Sequence, residues 1–321
     1  MIDLVNESKF NRRDLALGDS PKAKSDWPFK LVVRGISVLF ALVIILFVWS
    51  IIHQSLPTWK SQGLGFLTNT SWAPGLNQFG AAPLILGTLI TAFIALLIAV
   101  PIGLGTALVI TFLLPARIRT VMTSLVELLA AIPSVVYGLW GLIVLVPLFS
   151  NTIEPALQSW TGGIGIFSGA TQGLGLLLAG IVLAVMVLPT IVAISRDVIA
   201  AVPSELIEGG LSLGATRSQV LTKVVLPAAK TGILGAISLG AGRALGETIA
   251  VAMVIGSSPE MPHSLFSVGA TLASIIATQF IDASAPQLAA LGACALILMV
   301  FTASVNAVAR SLVRRTATVG A

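Results

Sequence analysis

Between Lys60 and Arg117 the chain carries no charged residue. Ordinary soluble domains do not sustain such an interval, because each helix or strand needs a solvated face. A bilayer core about 30 Å thick instead takes roughly 20 apolar residues per helical span. By that measure six stretches can cross: about 31–53, 83–113, 121–149, 174–195, 229–256 and 286–309. Only 10% of the 321 residues are charged and mean hydropathy is +1.01, so lipid is the main solvent. The sequence lacks the roughly ten-residue alternation of a membrane barrel. It predicts an all-α integral membrane protein with six transmembrane helices. The Pro- and Gly-bearing segment 54–82 sets the first helix apart, which predicts a peripheral N-terminal helix (30–82) and a five-helix core (83–310). Polar tails, 1–29 and 311–321, flank them. The first apolar run starts too late and lacks the A-x-A site of a cleaved signal peptide, so it reads as a true span.

The net charge of +5 raises the question of nucleic acid, and its distribution answers it. Lys60 alone falls on one side of the predicted bundle and Arg243 alone falls inside a span; every other Lys and Arg sorts to the opposite side. That asymmetry is the positive-inside pattern, so both termini are expected in the cytoplasm and no nucleic-acid partner is expected. The single cysteine, Cys294, excludes an internal disulfide and reads as a small buried residue. His53 and His263 have no nearby ligand companions, and no metal is expected. Trp49, Trp59, Trp72 and Trp160 fit an interfacial belt. Pro101, Pro133 and Pro189 fall inside predicted spans, where each removes a backbone donor, frees a carbonyl one turn earlier, and makes a kink or a hinge. The loops 150–173 and 257–285 lack Lys and Arg and either dock an external partner or simply connect helices.

Arg243 and Glu247 are the charges that cost most. An ionised side chain at mid-span costs about 2.5–3.5 kcal/mol on insertion scales. Four residues apart on one continuous helix, the two would share a face, yet an i,i+4 pair returns only ~0.3–0.5 kcal/mol. Helix stability does not explain them. They are either a buried ion pair between helices or a stopping point for an anion, with Glu247 keeping that site weak enough to release its occupant. Ser238, Gly242 and Gly246 form a small-residue stripe beside them, suited to close approach of another backbone. Glu127 is a third charge within a predicted span.

Residues 201–229 read as two short helices. Pro203 suits a first helical position, Gly214 a left-handed helix end, and Thr216 with Gln219 a capping box; the second helix should stop before Pro227. No Walker A or G-x-G-x-x-G pattern occurs, so ATP must be bound by another chain. The order Glu208-Gly209-Gly210, three residues, Gly214, nine residues, Val224-Val225-Leu226-Pro227 resembles the EAA signature of ABC importer permeases. Gly209 and Gly210 stand where that family usually has alanines. The resemblance implies a coupling helix that inserts into a cytoplasmic ATPase, using Pro203, Glu205, Glu208, Gly209, Gly210, Gly214, Ala215 and Thr216.

"RALGETIAVAMVIG" (243–256) and "ELLAAIPSVVYGLWG" (127–141) are similar to the phosphate-specific ABC importer permeases, in forms that favour the PstC branch over the PstA branch. This likeness covers about 30–315. It implies a bacterial inner-membrane subunit with no enzyme activity and no cofactor of its own. Its implied partners are a PstA-like permease, a PstB-like ATPase dimer and a PstS-like phosphate-binding protein. Arg243 and Glu247, with Glu127 at a recurrent position, are the residues it implies for substrate passage. Permeases for sulfate or molybdate, a self-sufficient ion-coupled carrier, and a membrane-embedded enzyme are the rival readings. The last is disfavoured because no span carries a His/Asp/Ser or metal cluster.

Overall fold

The computed structural model describes residues 27–163 and 165–317. The expected tails before Trp27 and after Ala317 lie outside the described residues. Among the described residues helices account for the fold, and six are long and apolar enough to cross a membrane. We number them with the shorter helices between: α1 Trp27–Gln62, α2 Ala82–Leu113, α3 Ala116–Ala131, α4 Ser134–Thr161, α5 Leu176–Ala200, α6 Ser204–Ser212, α7 Arg217–Gly246, α8 Ile249–Val254, α9 Leu272–Gln279 and α10 Ala285–Ala317. The chain divides into two compact units, Met1–Ser50 and Ile51–Ala321. In the first, the described residues form one helical rod with no buried residue.

In the second unit, α5 is the central post. Its sequence, LLLAGIVLAVMVLPTIVAIS, is apolar on every face, as a fully buried helix requires. Of its most apolar window 61% is buried, against 28–39% for α2, α4, α7 and α10. Glycines set how closely its neighbours approach. Gly103 of α2 and Gly240 of α7 both lie against Ile191, Gly180 of α5 against Ile94, and Gly232 of α7 against Val198. A β-carbon at any of the four would overlap those side chains. Ser195, in the same post, is fully buried, and its Oγ has no hydrogen-bond partner. An unpaired buried hydroxyl costs on the order of 1–3 kcal/mol. Ser195→Ala is therefore expected to raise the thermal midpoint of the detergent-solubilised protein; a lowered midpoint would show that the hydroxyl has a partner worth keeping.

Prolines shape these helices in an unexpected way. Among the described residues four five-residue π turns occur, Val109–Leu113, Gly141–Leu145, Phe149–Ile153 and Leu221–Val225. Each ends two residues before a proline: Pro115, Pro147, Pro155 and Pro227. The residue just before each proline donates its N–H five residues back, Leu114 to Val109, Val146 to Gly141, Glu154 to Phe149 and Leu226 to Leu221. Widening the turn by one residue relieves the clash between the proline ring and the carbonyl one turn earlier. Pro227 consequently does not stop the helix, contrary to expectation: α7 passes through it from Arg217 to Gly246. Pro101 and Pro189 also sit inside unbroken helices.

Pro133 does more than kink: it divides the expected third span. The 121–149 expectation resolves into α3 and α4, with Ile132 and Pro133 extended between them. Pro133 cannot donate to the carbonyl of Leu129, which accepts instead from the Ile132 N–H at 3.3 Å and from the Tyr137 hydroxyl at 2.8 Å. The bilayer-crossing stretch is α4, which runs through the expected 150–173 loop as far as Thr161. Beyond it the chain is strapped back. Gln158 Nε2 donates to the Gly169 carbonyl at 2.7 Å, and the Gly173 N–H donates at 2.9 Å to the Glu154 carboxylate, which is 1% exposed. Of the expected belt tryptophans, Trp72 is interior and Trp59 is half-buried. Trp72 is buried and donates to Gln279 at 3.0 Å, and Trp59 packs edge-on against Phe66. Trp160 is 89% exposed.

Candidate functional site

The expected fifth span, 229–256, is broken where its charges lie. α7 ends at Gly246, Glu247 is extended (φ −71°, ψ 130°), and α8 begins at Ile249. The local chemistry favours the break. Glycine followed by Glu and a β-branched Thr is a poor helix interior, and a carboxylate is well placed at a helix start, whose first N–H groups lack intrahelical acceptors. Glu247 Oε1 accepts from the Ala250 N–H at 3.3 Å. Arg243 and Glu247 therefore do not share one helical face: the first closes α7 and the second opens α8.

Arg243 Nη1 donates to Thr190 Oγ1 on α5 at 3.0 Å. Thr190 is ~21 Å along α5 from its first residue at 1.5 Å per residue, close to the midpoint of that 25-residue helix. Arg243 is half-buried, and none of its nitrogens is a sealed, unpaired donor. Among the described residues the ion pairs are Arg196–Glu127 and Arg196–Asp197, so no carboxylate neutralises Arg243. The ion-pair reading of Arg243 and Glu247 does not describe this arrangement. What stands at mid-bundle is a guanidinium held by a neutral hydroxyl.

Glu127 lies elsewhere. It is on α3, with its side chain 59% exposed, and approaches Arg196 Nη1 at 3.6 Å. Arg196, 17% exposed, also holds Asp197 at 2.8 Å. These residues belong to the end of the bundle that carries Arg117, Arg119, Arg217 and Lys223, which we call the basic end. The break at Ile132–Pro133 moves Glu127 out of a span and onto this end. The small-residue stripe also differs from expectation. Ser238 Oγ bonds Asn306 at 3.1 Å, but Gly242 and Gly246 have nothing within 4 Å of a would-be β-carbon. Close backbone packing inside the chain uses Gly232 and Gly240 on another face of α7.

At the basic end, the first of the two short helices expected over residues 201–229 forms as α6, and the second is the start of the long α7. α6 runs Ser204–Ser212, with Pro203 one position before its first residue, at the cap. Gly214 is left-handed (φ +81°). Both hydrogen bonds of the Thr216–Gln219 capping box form, at 2.9 and 3.3 Å. The module is fastened by Ile207 and Ala215, which pack on the cluster of Val220, Val225 and Ala229. The two glycines divide the work. A β-carbon on Gly210 would sit 3.1 Å from Val220, whereas Gly209 faces open space with Glu205 and Glu208 exposed near it. Leu213, at the tip, is 90% exposed. Behind α6 a cavity of about 220 Å³ is lined by Phe112, Leu113, Ile207, Leu211, Arg217, Val220 and Leu221. An exposed helix with an apolar tip, rigidly capped, is a surface that another protein can grip.

Sequence reasoning missed Thr190, Tyr137 and Arg196. Tyr137 is the chain's one tyrosine, four residues beyond Pro133, and that spacing could have paired it with the freed carbonyl. Thr190 left no local signal, because its partner is 53 positions away in sequence; the neighbouring Asp197 was a local signal for Arg196, whose other partner, Glu127, is 69 positions away.

Comparison with known proteins agrees with this architecture. The family model described as "Binding-protein-dependent transport system inner membrane component" matches residues 99–318. A Pasteurella multocida protein named "Phosphate transport system permease protein PstC" is 44% identical over 291 residues, covering 89% of this chain and 91% of its own. Its namesake in Haemophilus influenzae is 43% identical over 296 residues (90% and 94%), and that of Mesorhizobium japonicum 40% over 298 residues (91% and 91%). Among solved structures, a bacterial ABC transporter involved in alginate import matches with TM-score 0.54 at 17% identity, covering 90% of this chain and 99% of that one. The MetNI methionine ABC transporter in an inward-facing form matches with TM-score 0.52 at 18% identity, covering 74% and 94%. The chain belongs to the family of binding-protein-dependent transport system inner membrane components, in the branch of its PstC relatives.

Proposed function

We propose that this chain is the permease subunit of an ATP-driven phosphate importer and forms half of its transmembrane pathway. The observation that carries the reading is Arg243: a cation at mid-bundle, held by a hydroxyl rather than neutralised by a carboxylate. An isolated charge there is costly, and a negatively charged cargo that passes it accounts for the cost. Glu247, one turn along the chain, limits how tightly that cargo is held, so that it can leave. Moving an anion into a negative-inside cell costs about 2.3 kcal/mol per charge per 100 mV, so import needs an energy source. The chain has no nucleotide-binding motif, and the exposed α6–Gly214–Thr216 module is the point where a separate ATPase would push.

The partners of this reading are a PstA-like permease for the other half of the pathway, a pair of PstB-like ATPases on α6, and a PstS-like phosphate-binding protein at the opposite end. The basic end then faces the cytoplasm, as the Lys and Arg distribution requires. Phosphate is favoured over sulfate and molybdate by the names of the relatives at 40–44% identity. Uptake of labelled phosphate by the assembled complex, with sulfate and molybdate as competitors, tests the reading. Phosphate alone should compete; inhibition by sulfate or molybdate would reassign the cargo. The chain reconstituted by itself should concentrate nothing, and accumulation without an ATPase would make it a carrier.

A further inference from the structure

We infer that Thr190 is a second anion-binding residue, supplying a hydroxyl donor beside the Arg243 guanidinium. The inference rests on the anion-path reading above and deepens it. Several helical threonines spend their hydroxyl proton on a carbonyl of the preceding turn: Thr88 on Leu84, Thr91 on Gly87, Thr111 on Ala107 and Thr302 on Leu298, at 2.7–2.9 Å. Thr190 does not. Among the described residues its one hydrogen-bond partner is Arg243, and in that bond, 3.0 Å long, Thr190 Oγ1 is the acceptor. A hydroxyl has one proton to donate and two lone pairs to accept with, so the Thr190 proton remains uncommitted.

The surroundings fix where that proton can go. Thr190 stands on α5, the most buried helix of the bundle, and its backbone is set by packing on α2 and α7. Arg243 has N–H groups beyond the one given to Thr190, and none is a sealed unpaired donor. The pair thus offers several N–H groups and one O–H from adjacent points of two helices, with no carboxylate paired to either residue. A cluster made of donors suits a tetrahedral oxyanion, which carries acceptors on every corner. Before cargo arrives, Thr190 holds the guanidinium in place; with cargo present, its hydroxyl turns to donate to the same anion. Cations and neutral solutes gain nothing from such a site.

The test compares Thr190→Val, which keeps the shape and removes the hydroxyl, with Thr190→Ser, which keeps the hydroxyl, and with Arg243→Gln. Each is assembled with its partner subunits, and phosphate moved per ATP hydrolysed is measured with saturating phosphate-binding protein. Thr190→Val should lower that ratio about tenfold, with complex yield and stimulated ATP hydrolysis within about twofold of the parent; Thr190→Ser should restore the ratio. An unchanged ratio in Thr190→Val overturns the inference, as does failure of Thr190→Ser to restore it. A parallel loss of complex yield in Thr190→Val overturns it in favour of a packing role. If Arg243→Gln imports normally, the anion path itself is wrong; if Arg243→Gln is inactive while Thr190→Val is normal, only the role of Thr190 is wrong.

Discussion

Arg243→Gln should reduce phosphate uptake by ~100-fold or more and leave the complex assembled with its ATPase. Glutamine is two bonds shorter and gives up the bond to Thr190, but the close packing of α7 on α5 at Gly240 and Ile191 does not depend on it. The variant loses the positive charge. A charge-assisted hydrogen bond is worth roughly twice a neutral one, and a low-dielectric site enlarges the difference. No second cation replaces it, since Arg243 is the one Lys or Arg between Lys230 and Arg310. Labelled phosphate uptake and co-purification of the partner subunits measure the two halves of this expectation. Normal uptake would remove Arg243 from the path, and failure to assemble would make it a structural contact.

The second large effect is expected at the basic end. Glu208→Lys reverses a charge on the exposed face of α6, and Gly214→Glu puts a side chain where the backbone is left-handed at φ +81°. A non-glycine residue there costs ~1–2 kcal/mol, and relief of that strain would re-aim α6 against Thr216. Each substitution should cut ATPase co-purification about tenfold or more while the chain still inserts and keeps its thermal midpoint to within a few degrees. Neither position has a neighbour that packing would miss: a β-carbon at Gly214 meets open space. Unchanged co-purification in both variants would reject α6 as the docking helix.

The spans and the α6 module were legible in the sequence for different reasons. Hydropathy locates a span because about 20 residues act together, so errors of several residues at each end do not matter. The capping box and Gly214 are legible because their chemistry is local, within three residues. The interruptions were not legible. Pro133 signalled trouble, but whether a proline kinks, breaks or is absorbed depends on whether the freed carbonyl finds a donor and whether the turn can widen. Tyr137 supplies the donor at one site, and π turns supply the width at Pro147, Pro155 and Pro227. The break after Gly246 carries no proline; it is held by the Glu247 carboxylate on Ala250, a contact no hydropathy window registers. Glu127 was misplaced as a consequence, because an amphipathic helix followed by a span reads as one long apolar run until the break is known. That Arg243 lies within the bundle was legible; that Glu247 opens a separate helix was not, nor was the Thr190 partner of Arg243, which comes from another helix.

The most direct measurement is the reactivity of a cysteine at position 243. Cys294 is the chain's one cysteine, so Arg243→Cys combined with Cys294→Ala leaves a single thiol in this subunit. In complexes whose other subunits lack reactive thiols, water-soluble methanethiosulfonates of either charge are applied with and without ATP. The anionic reagent should modify this thiol in at least one nucleotide state. A thiol inert to every water-soluble reagent in all states would place position 243 outside any aqueous route and contradict the account.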